Sequence, residues 1–131
     1  MIISTYTRED AVADGVLTVI PAKQLTTAGF RDVGYVAQYL KGSLEDKAKS
    51  LIAKNCNRLD ARGKAKAKRE LMKLLYVRMM VNANDAIMKA EDKNTNLISF
   101  TVKDTGEKAY VQVEREQSGR VVWTFMATSD Y

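Results

Sequence analysis

The chain has 131 residues, of which 46% are hydrophobic and 28% are charged, and its net charge is +5. This length is typical of one domain with its own core, and the composition is that of a folded protein rather than a disordered one. The chain has no histidine, which excludes a His-dependent catalytic triad, a His general base and a zinc site with imidazole ligands. The single cysteine, Cys56, cannot form an internal disulfide and favours a reducing compartment.

No targeting or membrane segment is visible in the sequence. The N-terminus lacks the basic region and the long apolar region of a signal peptide. The most apolar stretch, residues 74–81, is interrupted by Arg78 and is much shorter than the ~20 residues that a spanning helix needs. We therefore expect a cytoplasmic protein that makes no membrane contact.

The N-terminal segment predicts a capped helix followed by a strand. Thr7 and Asp10 have the spacing of a capping pair, which favours a short helix over residues 8–14. Gly15 tolerates the left-handed conformation that ends many helices. Residues 16–20 then have the composition of a short strand.

Two further short helices are predicted next. Pro21 suits the first turn of a helix that ends near Gly29. Asp32 is then expected to cap another short helix that ends at Gly42. The apolar side of that helix would comprise Val33, Val36, Tyr39 and Leu40.

The longest helices are predicted in the middle of the chain. Ser43 and Asp46 repeat the capping signal and indicate a helix that buries Leu44, Ala48, Leu51 and Ile52. Residues 64–91 are rich in strong helix formers and give the longest helical signal. Because residues 71–81 are apolar on nearly all sides, we expect this helix to be central and buried.

After residues 94–96 the hydrophobic period changes to two. Three strands are predicted, over residues 97–102, 109–114 and 120–126, with turn-like separators between them. The sequence thus predicts an α+β fold in one domain, residues 1–131. Short N-terminal helices and one long central helix (all within residues 1–93) would pack on a three-stranded antiparallel β-meander (residues 97–128).

The net positive charge of the chain is concentrated in residues 46–78. This segment contains eleven basic and three acidic residues and has a net charge of +8. On a helical wheel five of these cations fall within about 80°: Arg58, Arg62, Lys66, Arg69 and Lys73. Such a stripe can follow a phosphate backbone or an acidic protein surface, and the alternative is an ordinary solvated helix face. Gly63 leaves open whether the stripe is continuous.

Two arginines lie outside this stripe. Arg78 falls on the apolar side of the long helix, which predicts a buried guanidinium paired with Asp14, Asp32 or a strand carboxylate. Arg8 and Arg78 together are candidates either for gripping a small anion or for structural pairing. The acidic residues of the C-terminal hairpin, Asp104, Glu107, Glu114 and Glu116, are expected to form a solvated edge. No metal-ligand spacing and no Gly-rich phosphate loop is present, so we expect no metal, no cofactor and no enzymatic activity.

The N-terminal residues resemble those of a known domain family. The string from Tyr6 to Leu17, with its Tyr-Thr-Arg, Ala and Asp-Gly-Val-Leu elements, and the Ala-Gly-Phe of residues 28–30 are similar to an uncharacterised domain family. That family is carried by conjugative plasmids, integrative elements and phages. The resemblance is specific over about residues 6–31 and loose elsewhere, where a central apolar helix with an embedded arginine (here Arg78) and a closing β-ribbon also look alike. The chain departs from the family after Phe30, where members continue with a Pro-containing apolar segment.

The resemblance implies a phage or mobile-element accessory protein acting in a bacterial host cell, without implying a reaction. Combined with the basic stripe, it predicts a non-enzymatic protein that binds nucleic acid or an acidic face of a host protein or ribonucleoprotein. An anti-defence role, inhibiting a nuclease or a CRISPR-type complex, is one form of this hypothesis. The alternatives are a small nucleotide- or anion-binding protein or enzyme that uses Arg8 and Arg78, and a structural module whose Met-rich helix packs in a homodimer.

Overall fold

The helices and strands form an α+β fold built on a five-stranded mixed sheet. The computed structural model describes residues 7–55, 58–90 and 96–131. The helices are α1 (Arg8–Ala13), α2 (Ala22–Thr27), α3 (Gln38–Asn55) and α4 (Ala61–Lys89). The strands are β1 (Leu17–Val19), β2 (Val33–Ala37), β3 (Leu97–Thr101), β4 (Lys108–Arg115) and β5 (Val121–Ala127), and a 3₁₀ turn follows at Thr128–Asp130. The predicted α+β class is confirmed.

The sheet has the order β1-β2-β5-β4-β3, and only the β2–β5 pair is parallel. The antiparallel pairing of β3, β4 and β5 follows the predicted meander, with Val111 opposite Ile98 on one side and Phe125 on the other. Gly106 and Gly119 take positive φ angles in the two connecting turns, a conformation that suits glycine. The expected three-stranded sheet is nevertheless too small, because β2 pairs with β5 and β1 pairs with β2.

Residues 33–37, expected in a short helix capped by Asp32, form strand β2 instead. This strand lies between β1 and β5, and four of its five residues are buried, so its side chains pack on both faces of the sheet. A Cβ on Gly34 would lie 2.6 Å from Cδ1 of Leu25, which shows how closely α2 packs on the strand. Asp32 takes a positive φ of 68°, and its carboxylate accepts a hydrogen bond from the Val121 N–H at 2.9 Å. Asp32 therefore ties the start of β2 to β5 rather than opening a helix.

Helix α3 begins at Gln38, before the predicted start at Ser43. The carboxylate of Asp130 accepts hydrogen bonds from the N–H groups of Tyr39 (2.9 Å) and Leu40 (3.1 Å) and so satisfies the start of the helix. The Ser43 hydroxyl instead donates to the Tyr39 carbonyl inside the helix, at 3.2 Å. Of the residues predicted to be buried in this helix, Leu44, Ala48 and Ile52 are buried and Leu51 is half-buried.

Helix α4 is the long helix that the sequence predicts, and it begins slightly earlier. Asp60 is its N-cap and accepts a hydrogen bond from the Gly63 N–H at 2.7 Å. One side of the helix packs with α3 on the sheet, through Leu75, Tyr76, Met79, Met80 and Ala83. The expected burial on nearly all sides is wrong, because Leu74 is 52% exposed and Val81 is 41% exposed.

Candidate functional site

Four of the five cations of the predicted basic stripe lie on one continuous helix. Gly63 belongs to the first turn of α4 and does not interrupt it. Arg62, Lys66, Arg69 and Lys73 are exposed along this helix, over a length of ~16 Å at about 1.5 Å per residue. Arg58 precedes the N-cap Asp60 and lies outside the helix. The stripe therefore consists of four cations of α4, without Arg58.

The position of Arg62 opposes helix stability, whereas Lys73, at the other end of the stripe, forms an ion pair with Glu70 at 3.5 Å. The first turn of α4 contains no acidic residue, although the positive end of the helix dipole favours carboxylates there. Arg62 lies in that turn and faces Lys66 one turn later, a like-charged pair that costs roughly 0.2–0.5 kcal/mol. Within the described residues of the chain, no carboxylate lies within 4 Å of Arg62, Lys66 or Arg69. Arg62, Lys66 and Arg69 therefore gain no stabilisation from ion pairs with described residues.

A groove between α3 and α4 lies beside the stripe. One concavity of about 460 Å³ is lined by Lys41 and Glu45 of α3 and by the face of α4 that carries Lys68, Arg69, Met72 and Tyr76. A second, of about 330 Å³, lies between Lys49 of α3 and Lys64 of α4. Ala65 and Lys68 line both, so the two concavities form one groove along the seam of the helices.

The groove has an apolar floor and a cationic rim. The rim cations are Lys41 and Lys49 from α3 and Lys64, Lys68, Arg69 and Lys73 from α4. The floor is provided by Ile52, Ala53, Ala65, Met72 and Tyr76. Lys41, Lys49, Lys64 and Lys68 were not predicted as site residues, because the helical wheel of α4 alone places Lys64 and Lys68 off the stripe and says nothing of α3.

Glu45 is the one carboxylate among the described residues that line the groove. Its oxygens lie 3.9 Å from Lys41 Nζ and 3.7 Å from Lys68 Nζ, distances that give weak, solvent-screened ion pairs. Burial raises the pKa of Tyr76 to about 12, and the negative charge of Glu45 adds to the shift. The Tyr76 phenol therefore stays protonated at neutral pH, and the groove keeps its net positive charge.

Arg78 lies at the surface, and the prediction that it is buried in the core is wrong. Its side chain is 57% exposed, and its Nε donates to both carboxylate oxygens of Asp104, at 2.9 and 3.1 Å. This hydrogen bond raises the pKa of the Arg78 guanidinium. The helical wheel misplaces Arg78 because α4 buries only one side. Asp104 belongs to the turn after β3, so the pair connects α4 to the hairpin, next to the hydrogen bond from the Lys103 N–H to Asn82 Oδ1.

Arg8 is also paired, with Glu114 of β4. An anion that bound at Arg8 or Arg78 would have to displace a carboxylate from the guanidinium. The structure places the two arginines on separate elements, each with its own partner, and does not bring them together in one site.

The acidic residues of the C-terminal strands and turns each have a partner, and the strand that carries Glu114 is not at the edge of the sheet. Asp104 pairs with Arg78, and Glu114 pairs with Arg8. Glu116 pairs with Arg120, which lowers the pKa of the Glu116 carboxyl, and Glu107 accepts a hydrogen bond from Ser43 at 3.3 Å. Strand β4, which carries Glu114, lies between β5 and β3 and is therefore an inner strand of the sheet.

The remaining candidate chemistry is sparse. Cys56 lies outside the described residues. Over residues 7–55, 58–90 and 96–131, no three cysteine or acidic side chains come close enough together to hold a metal ion. Within the same ranges, no helix combines the length and apolarity that crossing a bilayer requires. The comparisons with protein-family models, with curated proteins and with solved structures find no match to this chain.

Proposed function

We propose that this chain is a non-enzymatic binding protein that docks on an acidic macromolecule through the basic surface of α3 and α4. The observation that carries the proposal is the placement of Arg62, Lys66 and Arg69. Arg62 lies in the first turn of α4, at the unfavourable end of the helix dipole, and Lys66 and Arg69 follow one and two turns later. No carboxylate among the described residues lies within 4 Å of these three side chains. A polyanion supplies the missing countercharge and gains affinity by counterion release.

The sign of the charge restricts what such a protein does to a host complex. A mimic of DNA would need a strongly acidic surface, and this chain has a net charge of +5. If the chain acts as a phage or mobile-element inhibitor of a nuclease or a CRISPR-type complex, as the resemblance over residues 6–31 implies, it acts by covering nucleic acid or an acidic protein face.

The test is binding of labelled duplex DNA, single-stranded DNA, RNA and polyglutamate at increasing salt, followed by fluorescence anisotropy. The test variant is R62E/K66E/R69E. A matched control, K23E/K89E/R115E, changes three other exposed cations and the net charge by the same amount. We expect the test variant to lose about 100-fold in affinity and about two to three units of the log–log salt slope, since each neutralised phosphate contributes about 0.9.

The control should retain its affinity within about threefold, because screening leaves only a small effect from distant exposed charges. Equal losses in the two variants would show a nonspecific effect of net charge. Absence of binding to every polyanion at low salt would refute the proposal.

A further inference from the structure

The groove between α3 and α4 has the dimensions of a helix-binding site. Lys41 and Glu45 line it opposite Tyr76, and Lys49 lines it opposite Lys64, so the two helices run antiparallel along it. The stretch of α4 from Lys64 to Tyr76 is ~18 Å long, which corresponds to about three turns of a bound helix. The volumes of about 460 and 330 Å³ fall in the range of ligand-binding clefts.

The floor of the groove suits apolar side chains. Ala53 and Ala65 have small side chains that let a partner backbone approach closely. Met72 is half-buried, and its flexible thioether adapts to different apolar shapes. A row of apolar side chains at i, i+3, i+4 and i+7 spacing fits a floor of this kind.

The cations on both sides of the groove favour a bound molecule with acidic side chains on both of its flanks. Lys41 and Lys49 line the α3 side, and the α4 side carries the other four rim cations. Five of the six rim cations are lysines. The lysine side chain in general can lay its long stem along apolar surface while keeping its ammonium group in water. Such point charges match carboxylates at varied positions, whereas phosphate recognition favours the bidentate fork of arginine.

The same features argue against nucleic acid as the occupant of the groove. Binding of bases uses exposed aromatic faces for stacking, and the aromatic residue in the groove, Tyr76, is only 8% exposed. A duplex presents a convex, charged backbone that makes no use of an apolar floor. Nucleic acid fits the convex stripe of Arg62 and Lys66 better than it fits the groove.

We propose that the α3–α4 groove binds an acidic amphipathic helix of a partner protein. This inference rests on the proposed function, because it names the partner class for the same basic surface. The apolar side chains of the partner helix lie on Ala65 and Met72. The carboxylates of the partner helix contact the lysines on both sides of the groove. Charge complementarity selects the partner, and the apolar floor distinguishes a helix from other polyanions.

The experiment uses a labelled synthetic peptide of about 18 residues, with leucine at helical spacing along one face and glutamate on both flanks. A scrambled peptide of the same composition removes the apolar face but keeps the charge. We expect the ordered peptide to bind at least tenfold more tightly than the scrambled one. Amide chemical shifts of Ala53, Ala65 and Met72 should change on titration with the ordered peptide.

The decisive variant is Ala65→Trp, which fills the floor of the groove without changing its charge. Ala65 is exposed in the free protein, so the fold tolerates the larger side chain, and far-UV circular dichroism checks this. We expect at least a tenfold loss of affinity for the ordered peptide. Binding of duplex DNA and polyglutamate should change by less than twofold.

Three outcomes overturn the inference. Equal binding of ordered and scrambled peptides would show that the floor plays no role, and an unaffected Ala65→Trp variant would show that the peptide binds elsewhere. If Ala65→Trp weakens RNA or DNA binding instead, the groove is a nucleic-acid site. The proposed function is tested separately, by the loss of polyanion binding in R62E/K66E/R69E. If that loss is observed, the proposed function is still supported in each of these three cases. The failure of one proposal is therefore distinguishable from the failure of the other.

Discussion

Two regions of the molecule differ in how far their basic side chains are paired with carboxylates. Around the sheet, arginines are paired with carboxylates, as in Arg8–Glu114, Arg78–Asp104 and Arg120–Glu116. On α3 and α4, six cations line a groove that contains a single described carboxylate, Glu45. Arg8–Glu114 and Arg78–Asp104 connect segments that are distant in the chain, and Arg120–Glu116 closes the turn between β4 and β5, so all three pairs serve the fold. In the groove, Lys41 and Lys68 share Glu45, and Lys73 lies 3.5 Å from Glu70, so cations outnumber carboxylates. We propose that an external partner supplies the remaining countercharge.

This comparison predicts that the two sets of residues separate in experiments. Changes to the carboxylates that hold the fold should lower stability and leave binding intact. Changes to the basic row should do the reverse. Asp130 and Arg62 test this separation, and Tyr76 tests the burial of the groove floor between them. The three predictions follow in order from the largest expected effect to the smallest.

The largest effect is expected at Asp130. Its carboxylate accepts hydrogen bonds from the N–H groups of Tyr39 (2.9 Å), Leu40 (3.1 Å) and Ala127 (2.8 Å). Asp130→Ala leaves three backbone donors without this acceptor and removes a negative charge from the start of α3, and we expect a loss of about 2–3 kcal/mol in the free energy of unfolding. Urea denaturation measures this loss.

The neighbouring exposed residue offers a matched control, Ser129→Ala, which should change the free energy of unfolding by less than about 0.5 kcal/mol. Affinity for polyanions should be unchanged in both variants. A loss of polyanion binding in folded Asp130→Ala protein would contradict the separation of the two regions.

Asp130 also shows what the sequence could and could not predict. The start of α1 was predicted correctly, because its cap is local: Thr7 accepts from the Asp10 N–H, and Asp10 accepts from the Thr7 N–H, each at 3.1 Å. The start of α3 was predicted wrongly because its N–H groups are satisfied by a residue at the other end of the chain. Local patterns predict local hydrogen bonds.

The prediction for strand β2 failed for the same reason. An apolar segment of this length fits a helix or a buried strand equally well, and its parallel partner β5 is far away in the sequence. The C-terminal strands were predicted correctly because turns join them directly, with Gly106 and Gly119 at the positions that need positive φ.

The candidate site was only partly predicted, and the reason is geometric. A helical wheel describes one helix, and it predicted a stripe of five cations. Arg62, Lys66, Arg69 and Lys73 lie on α4, and Arg58 precedes it. The groove depends on how α3 and α4 pack, and its α3 side, including Lys41 and Lys49, has no signature in the sequence of α4. Arg78 was misplaced because the wheel cannot tell which of two apolar sides faces the sheet.

The second prediction concerns alkaline pH and the groove. The pKa of Tyr76 is about 12 in the folded protein, above the ordinary value of 10.0, so the folded state holds the proton more tightly than the unfolded state. The stabilisation is fully present below pH 10 and is lost as the pH rises through 12. We expect a loss on the order of 1–2 kcal/mol, reduced by solvent screening at the groove.

Tyr76→Phe provides the comparison, because it keeps the ring and removes the titrating group. Its free energy of unfolding should fall less steeply than that of the native protein as the pH rises from 10 to 12. Identical pH profiles would show that the Tyr76 phenol ionises with equal ease in both states.

The smallest effect is the most discriminating. Arg62→Glu removes a cation from the positive end of α4 and replaces it with the charge that the helix dipole favours, so we expect a gain of about 0.5–1 kcal/mol in the free energy of unfolding. The same variant should bind duplex DNA about three- to tenfold more weakly, because it removes one phosphate contact and adds repulsion. Arg62→Gln should show about half of each change, since it removes the cation without adding a negative charge. Stability that rises as affinity falls is the signature of a charge placed for a partner. If both quantities fell together, Arg62 would belong with the paired arginines that brace the fold.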